Sequence, residues 1–199
     1  MRLTVGDATT EATIYRAARS GVRALALAHG AGAGRKHPFM VKVAEGLSAR
    51  GVDVMTFDFL YMHARRRMPD RNDSLEACWR AAIAKARAEL APRRLWIGGK
   101  SMGGRIASHI AAVGEPRVDG LVLLGYPLHP PGQPEKLRAA HLPQIRVPVL
   151  CLQGTRDAFG VPDELRPHFP AAADIVAIAG GHSFPVDDSL LDRIAQFMD

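Results

Sequence analysis

The chain has 199 residues, of which 47% are hydrophobic and 23% charged, and its formal net charge is +6. That length suits one domain over residues 1–199, and no run approaches the roughly 18 consecutive apolar residues of a membrane span. The first residues lack the apolar core and cleavage site of a signal peptide, so we expect a cytoplasmic protein without a membrane partner.

Apolar runs typical of buried strands alternate with helical stretches along most of the chain. This alternation predicts an α/β fold, with a mostly parallel central sheet and helices on both faces. The first one or two strands are expected to form an antiparallel edge. The predicted strands span residues 11–16, 23–28, 52–58, 95–99, 118–124, 147–152 and 174–179.

A glycine-rich turn, His29-Gly30-Ala31-Gly32-Ala33-Gly34, follows the apolar strand Ala24–Ala28. Dinucleotide-binding loops need the spacing Gly-x-Gly-x-x-Gly, and Arg35 and His37 occupy the positions of its third glycine. We therefore expect no nucleotide at this turn.

Arg65-Arg66-Arg67 is the only dense basic cluster, and Asp70 and Asp73 follow it closely. No aromatic residue interleaves with these arginines, as a surface that stacks nucleic-acid bases would require. We interpret the cluster as a solvated surface or as a rim for anionic substrates, and we expect no nucleic-acid partner.

Two amphipathic helices are predicted, one over residues 74–90 and one near the C-terminus. Asp73 and Glu76 resemble a capping box at the start of the first. Asp187 and Asp188 precede the second, where their charges suit a helix N-terminus. The apolar face is Leu75, Trp79, Ala82, Ile83, Ala86 and Leu90 in the first helix, and Leu190, Leu191, Ile194, Phe197 and Met198 in the second.

The two cysteines fall on elements that are expected to be buried, Cys78 in the first helix and Cys151 in a strand. We expect both to be reduced packing residues. Histidine and cysteine spacings typical of metal sites are absent from the sequence, so no metal or cofactor is expected.

The run Gly99-Lys100-Ser101-Met102-Gly103 joins an apolar strand to a helical stretch. A Gly-x-Ser-x-Gly at such a junction is typical of a nucleophile elbow, a turn so sharp that only small flanking residues fit. The run also resembles the end of a phosphate-binding P-loop, but Arg94 stands where that motif needs its first glycine. Ser101 is therefore the candidate nucleophile.

A serine becomes nucleophilic only with a base and an orienting acid nearby. Asp157 follows the predicted strand 147–152, and His182 lies between the last predicted strand and the final helix. Asp157 could instead cap the helical stretch after Val161 or form a surface turn with Arg156. The order Ser101, Asp157, His182 is nevertheless the order typical of α/β-hydrolases.

These motifs resemble those of the α/β-hydrolase superfamily, and within it the small, capless, dienelactone-hydrolase-like group. True dienelactone hydrolases carry a cysteine nucleophile where this chain has Ser101. The chain is also similar to the hydrolase-like domain of a subunit of a histone-acetyltransferase complex. The resemblance implies an α/β-hydrolase fold without a full cap, because the proline-rich segment 126–148 is too short to form one.

The resemblance also implies an oxyanion hole formed by the backbone N–H groups of Met102 and Ala31, with Gly32 as the near alternative to Ala31. Leu60 and Tyr126 follow predicted strands and are candidate pocket walls. The candidate pocket residues are Gly32, Leu60, Lys100 and Tyr126. Lys100, Arg35, Lys36 and Arg105 would either surround the pocket and favour an anionic substrate or lie in solvent.

The expected activity is hydrolysis of a small ester or thioester through an acyl-enzyme on Ser101, without a cofactor. Two alternatives use the same fold. One is an interaction module that does not turn over substrate, and the other is an acyltransferase with the same three residues. The oligomeric state stays open.

Overall fold

An eight-stranded sheet forms the centre of the protein in a computed structural model that describes residues 1–199. The strands are β1 (Arg2–Val5), β2 (Ala8–Tyr15), β3 (Arg23–Ala28), β4 (Asp53–Phe57), β5 (Arg94–Lys100), β6 (Gly120–Leu124), β7 (Val149–Gly154) and β8 (Asp174–Ile178). They follow the order β1-β2-β4-β3-β5-β6-β7-β8. Strands β3 to β8 are parallel, whereas β2 pairs antiparallel with both β1 and β4. The predicted α/β fold and its antiparallel edge are confirmed.

Strand β1 is an addition to the predicted strands. It joins β2 through the two-residue turn Gly6-Asp7, in which Gly6 has a φ of 58°. Leu3 and Val5 are buried, and Arg2 and Thr4 are exposed. Such a short alternation gives only a weak signal in the sequence, and pairing with β2 stabilises the strand.

Six helices cover the sheet: α1 (Pro38–Ser48), α2 (Leu60–His63), α3 (Asn72–Leu90), α4 (Met102–Val113), α5 (Pro162–Leu165) and α6 (Asp188–Phe197). Helices α3 and α4 pack on one face, and α1 and α6 pack on the other. The longest, α3, has 19 residues and is rich in charged side chains. None of the helices has the length and apolar character that crossing a membrane requires.

The alternation of side chains along β3 separates the two cores. Ala24, Ala26 and Ala28 face α3 and α4, while Leu25 and Leu27 face α1 and α6. The small alanines leave room for helices to lie close to the sheet, and the leucines fill the wider space on the opposite face.

The order in which strands are added to the sheet reverses between β3 and β5. After β3 the chain adds β4 on one side and then crosses to β5 on the other, so β3 and β5 are neighbours. In open parallel sheets this point leaves a crevice at the carboxyl ends of the strands, where ligands bind. The glycine-rich turn follows β3, and Ser101 follows β5.

The helix ends agree only partly with the sequence predictions. Asp187 caps α6, where its side chain accepts from the Leu190 N–H at 2.9 Å. The predicted capping box of α3 is wrong, because the helix begins earlier, at Asn72, and Arg71 is its N-cap. The carboxylate of Glu76 instead contacts His109 on α4.

Two further expectations are confirmed. Cys78 and Cys151 are free and buried. Between β6 and β7 the chain forms one short 3₁₀ helix, Leu142–Gln144, and no cap domain.

Candidate active site

The turn at Ser101 is backbone-strained. Ser101 has a φ of 52° and a ψ of −120°, in a region that residues other than glycine rarely adopt. The flanking glycines permit this turn. A Cβ on Gly99 would lie 2.5 Å from the Ala28 carbonyl oxygen, and one on Gly103 would lie 2.5 Å from the carbonyl oxygen of His29. Side chains at either position would therefore push β5 and α4 away from β3.

Three of the predicted site residues form one hydrogen-bonded chain. His182 Nε2 lies 2.8 Å from Ser101 Oγ, and His182 Nδ1 lies 2.8 Å from Asp157 Oδ2. The Asp157 side chain is fully buried, whereas 23% of the His182 side chain is exposed. A carboxylate can only accept, so Nδ1 carries the imidazole proton and Nε2 is left to accept the serine proton.

Buried donors hold Asp157 in place. Gln153 Nε2 donates to Asp157 Oδ2 at 2.9 Å, and the backbone N–H of Phe159 donates to Oδ1 at 2.9 Å. Gln153 is itself fully buried, and its Oε1 accepts from the Tyr126 N–H at 2.7 Å. Gln153 was not among the predicted site residues, although a polar residue at the end of an apolar strand is a signal that could have identified it.

Lys100 supports the loop that carries His182. Its Nζ donates to the His182 carbonyl oxygen at 2.7 Å. The ammonium also lies over the rings of Phe39 and Phe184, 5.9 Å and 5.8 Å from their centroids. Burial disfavours the charged form and lowers the pKa of Lys100 to about 8.

The glycine-rich turn is anchored from both sides. His29 is fully buried; its Nε2 accepts from the Phe59 N–H at 3.1 Å, and its Nδ1 donates to the Gly30 carbonyl at 2.7 Å. Burial lowers the pKa of His29, which favours the neutral ring that these contacts need. The Tyr61 hydroxyl donates to the Ala31 carbonyl at 2.9 Å. The turn is therefore held as part of the scaffold.

The backbone N–H groups of Met102, Ala31 and Gly32 have no acceptor within the protein. Met102 is the first residue of α4, where a helix leaves its N–H groups unpaired. A Cβ on Gly30, the residue before Ala31, would lie 3.5 Å from Ser101 Cβ. The turn thus runs directly beside the serine.

A cavity of about 370 Å³ opens over Ser101 and His182. It includes Gly32 and Lys100 from the candidate pocket residues, together with several residues that the sequence analysis did not place there. Those additional residues are His37, Phe39, Met40, Phe159 and Ser183. They come from the start of α1 and from loops beside β7 and β8, so only tertiary packing brings them to the serine.

Leu60 and Tyr126 do not line this cavity, which corrects their expected position. Tyr126 is buried, with its hydroxyl donating to the Arg138 carbonyl at 2.6 Å and its ring against Phe169. Leu60 begins α2 and packs against the core. Following a strand places a residue at the correct edge of the sheet, but the side chain can still point into the interior.

Arginines that were considered for the pocket also lie elsewhere. Arg35 is buried in ion pairs with Asp58 and Glu11. The Arg105 guanidinium contacts Asn72 on α3 at 3.2 Å. Lys100 is thus the one lysine or arginine that lines the cavity. No three His, Cys, Asp or Glu side chains come together in a group that could hold a metal ion.

The chain is similar to known proteins over most of its length. Residues 21–191 match a family model described as an alpha/beta hydrolase domain. The fold is similar to that of an alpha-beta serine hydrolase homologue from Coxiella burnetii, with a TM-score of 0.77 and 16% identity over 100% of this chain and 94% of that chain.

Two further solved structures are similar over comparable lengths. Est1E from Butyrivibrio proteoclasticus has a TM-score of 0.79 and 17% identity, over 100% of this chain and 96% of its own. A dienelactone hydrolase from Anabaena variabilis has a TM-score of 0.78 and 21% identity, over 98% of this chain and 92% of its own. At these identities the similarity shows a shared fold.

Proposed function

Because this chain belongs to the α/β-hydrolase family, we propose that it is a serine hydrolase that cleaves small esters or thioesters. The observation that carries the proposal is the hydrogen-bonded chain from Ser101 Oγ through His182 to the buried carboxylate of Asp157, with 2.8 Å at each step. The strained turn at Ser101 supports it, since such strain is typical of a nucleophile elbow. We also propose that residues 1–199 form one domain, because β1 and β2 lie outside the matched residues yet join the sheet.

In the first half of the reaction, Ser101 Oγ attacks the carbonyl carbon while its proton moves to His182 Nε2. Asp157 holds Nδ1–H and stabilises the imidazolium. The negative oxygen of the tetrahedral intermediate accepts from the N–H groups of Met102 and Ala31. The bond to the leaving group then breaks, and that group takes the proton from His182.

In the second half, water attacks the acyl group on Ser101 and passes a proton to His182. The new tetrahedral intermediate collapses, the acid departs, and the proton returns to Ser101 Oγ. This cycle needs no cofactor.

The cavity supports a small substrate. Phe39, Met40 and Phe159 line it with apolar surface, which suits a short acyl or aryl group. A second solved structure of Est1E has ferulic acid bound. Esters of small carboxylic acids are therefore the first class to test.

Intact-mass analysis after treatment with a fluorophosphonate probe tests the proposal. We expect one adduct on the wild type and none on Ser101→Ala. Ser183→Ala is the matched control, because Ser183 lines the same cavity beside His182, and this variant should still form the adduct. A folded wild type that forms no adduct would refute an activated Ser101.

Product analysis with added alcohols then separates hydrolysis from acyl transfer. A free acid as the main product supports a hydrolase, whereas a new ester in place of the acid indicates an acyltransferase that uses the same residues.

A further inference from the structure

A second cleft, of about 450 Å³, adjoins the cavity over Ser101. Ala31 and Gly32 line both spaces, so they share a wall. The far side of the second cleft is formed by Met62 and by Arg65, Arg66 and Arg67, which we call the arginine rim. A molecule bound at Ser101 can therefore reach the arginine rim by passing over Ala31 and Gly32.

Main-chain and side-chain contacts fix the rim relative to the glycine-rich turn. The Tyr61 hydroxyl on α2 donates to the Ala31 carbonyl at 2.9 Å. The N–H of Arg66 donates to the Tyr61 carbonyl at 2.8 Å, and the N–H of Arg65 donates to the Met62 carbonyl at 3.0 Å. The arginines thus extend from a helix that is bonded to the wall of the Ser101 cavity.

The charge of the rim is only partly balanced. Asp70 pairs with Arg66 at 2.6 Å, and its other oxygen accepts from the Tyr61 N–H at 3.0 Å. The side chains of Arg65 and Arg67 are exposed and make no hydrogen bond or ion pair within the protein. Two of the three arginines that line the cleft therefore have no carboxylate partner.

We propose that the arginine rim binds an anionic group, a carboxylate or a phosphate, on the ester or thioester that reacts at Ser101. This inference rests on the proposed hydrolase function and extends it to a substrate class. Guanidinium groups suit these anions because their planar array of N–H donors matches carboxylate and phosphate oxygens. The reacting carbonyl lies at Ser101, and the anionic arm crosses Ala31 and Gly32.

Two matched pairs of substrates test whether the anionic group lies on the acyl side or on the leaving-group side of the substrate. In the first pair, mono-4-nitrophenyl adipate is compared with 4-nitrophenyl hexanoate, and only the adipate carries a carboxylate, on its acyl side. In the second pair, acetyl-coenzyme A is compared with S-acetyl-N-acetylcysteamine, and only the coenzyme A carries phosphates, on the leaving-group side. For each pair the measured quantity is the ratio of kcat/KM for the anionic to the neutral substrate, so a general change in activity cancels.

The test variant is Arg65→Gln combined with Arg67→Gln. The control is Arg117→Gln combined with Arg146→Gln, which removes the same charge from exposed arginines beside a different cleft. We expect the test variant to lower the ratio about five- to twenty-fold for one pair, and by less at high salt, as for two exposed charge interactions. The control should keep the wild-type ratio.

An unchanged ratio for both pairs in the test variant would overturn the proposal and indicate a merely solvated rim. A wild type that forms no fluorophosphonate adduct and cleaves neither pair shows a different failure, that of the hydrolase function.

In that case, titration with inorganic pyrophosphate, followed by amide NMR shifts, still tests the rim. We expect shifts at Gly32 and Arg65 to Arg67 that the test variant loses and the control keeps. Wild-type spectra that do not respond at these positions would overturn the anion site.

Discussion

Replacing Lys100 by methionine should change how the stability of the protein depends on pH. The Lys100 ammonium is largely withdrawn from water and has one hydrogen-bond partner, the His182 carbonyl at 2.7 Å. Burial therefore lowers the pKa of Lys100 from 10.5 to about 8. Methionine has a similar length and packs between the same aromatic rings without a charge.

The direction of the pKa change determines whether the free energy of unfolding rises or falls with pH. Below pH 8, Lys100 is protonated in both the folded and the unfolded state, so folding carries the full cost of burying the ammonium. As the pH rises from 8 to 10.5, the folded protein loses this proton while the unfolded chain keeps it, and the cost is relieved. At about 1.4 kcal/mol per pH unit, the wild type gains at most about 3 kcal/mol over this interval.

Lys100→Met lacks this gain. Its free energy of unfolding, relative to the wild type, should therefore fall by up to about 3 kcal/mol between pH 8 and pH 10.5. The lost bond to His182 adds an offset that does not vary with pH, because a neutral amine also donates. The buried tyrosines Tyr61 and Tyr126, whose pKa values burial raises, are common to both proteins and cancel.

Urea unfolding at pH 7, 8, 9 and 10 measures this difference. Lys36→Met is the matched control, because it removes the same charge from an exposed side chain. A difference between wild type and Lys100→Met that stays constant with pH, or that follows the control, would refute the buried-ammonium reasoning.

Three other substitutions test the site. Asp157→Asn should lower kcat roughly 10⁴-fold with the fold retained, because an amide favours the wrong tautomer of His182. Ester kinetics measure kcat and circular dichroism checks the fold. A kcat near that of the wild type would contradict the proposed role of Asp157. Gly103→Ala should destabilise the protein by about 2–3 kcal/mol, since its Cβ would lie within 2.6 Å of two carbonyl oxygens. Thermal unfolding measures this loss. An unchanged Tm would contradict the close approach of Gly103 to β3. Tyr61→Phe should lower the free energy of unfolding by about 1 kcal/mol, because the Ala31 carbonyl loses its hydrogen bond from the Tyr61 hydroxyl. The variant should also lower kcat more than it raises KM. A change in KM alone would contradict that prediction.

The placement of the candidate site followed well from the sequence. Ser101 comes directly after β5, and Asp157 and His182 lie in the loops after β7 and β8. The carboxyl ends of parallel strands meet at one edge of the sheet. Strand periodicity and strong local turn signals were therefore enough to predict that these three residues approach one another.

The cavity walls could not be read in the same way. Phe39 and Met40 belong to the start of α1, and Phe159 follows β7, yet all three line the space over Ser101. Tyr126 follows β6 and points into the core instead. Whether a side chain faces the cavity depends on helix docking and loop direction, for which a single sequence carries no periodic signal.

For the polar side chains too, contacts within a few residues were predictable and contacts between distant segments were not. The sequence correctly indicated Asp187 as a helix cap, because capping depends on neighbours a few residues away. It misassigned Asp73 and Glu76, since the contact of Glu76 with His109 joins two helices that are distant in the chain. Gln153 likewise gains its role only when loops close around Asp157.

The sequence by itself determined the alternation of strands and helical stretches after β1, the sharp turn at Ser101 and the edge of the sheet where the candidate residues meet. These features depend on residue spacing and on the small size of glycine, which are local properties. Only the tertiary structure decided the 2.8 Å contacts of His182, the burial of Lys100 and the wall that the Ser101 cavity shares with the second cleft. Each of these depends on distances between segments far apart in the chain, and packing in three dimensions sets those distances.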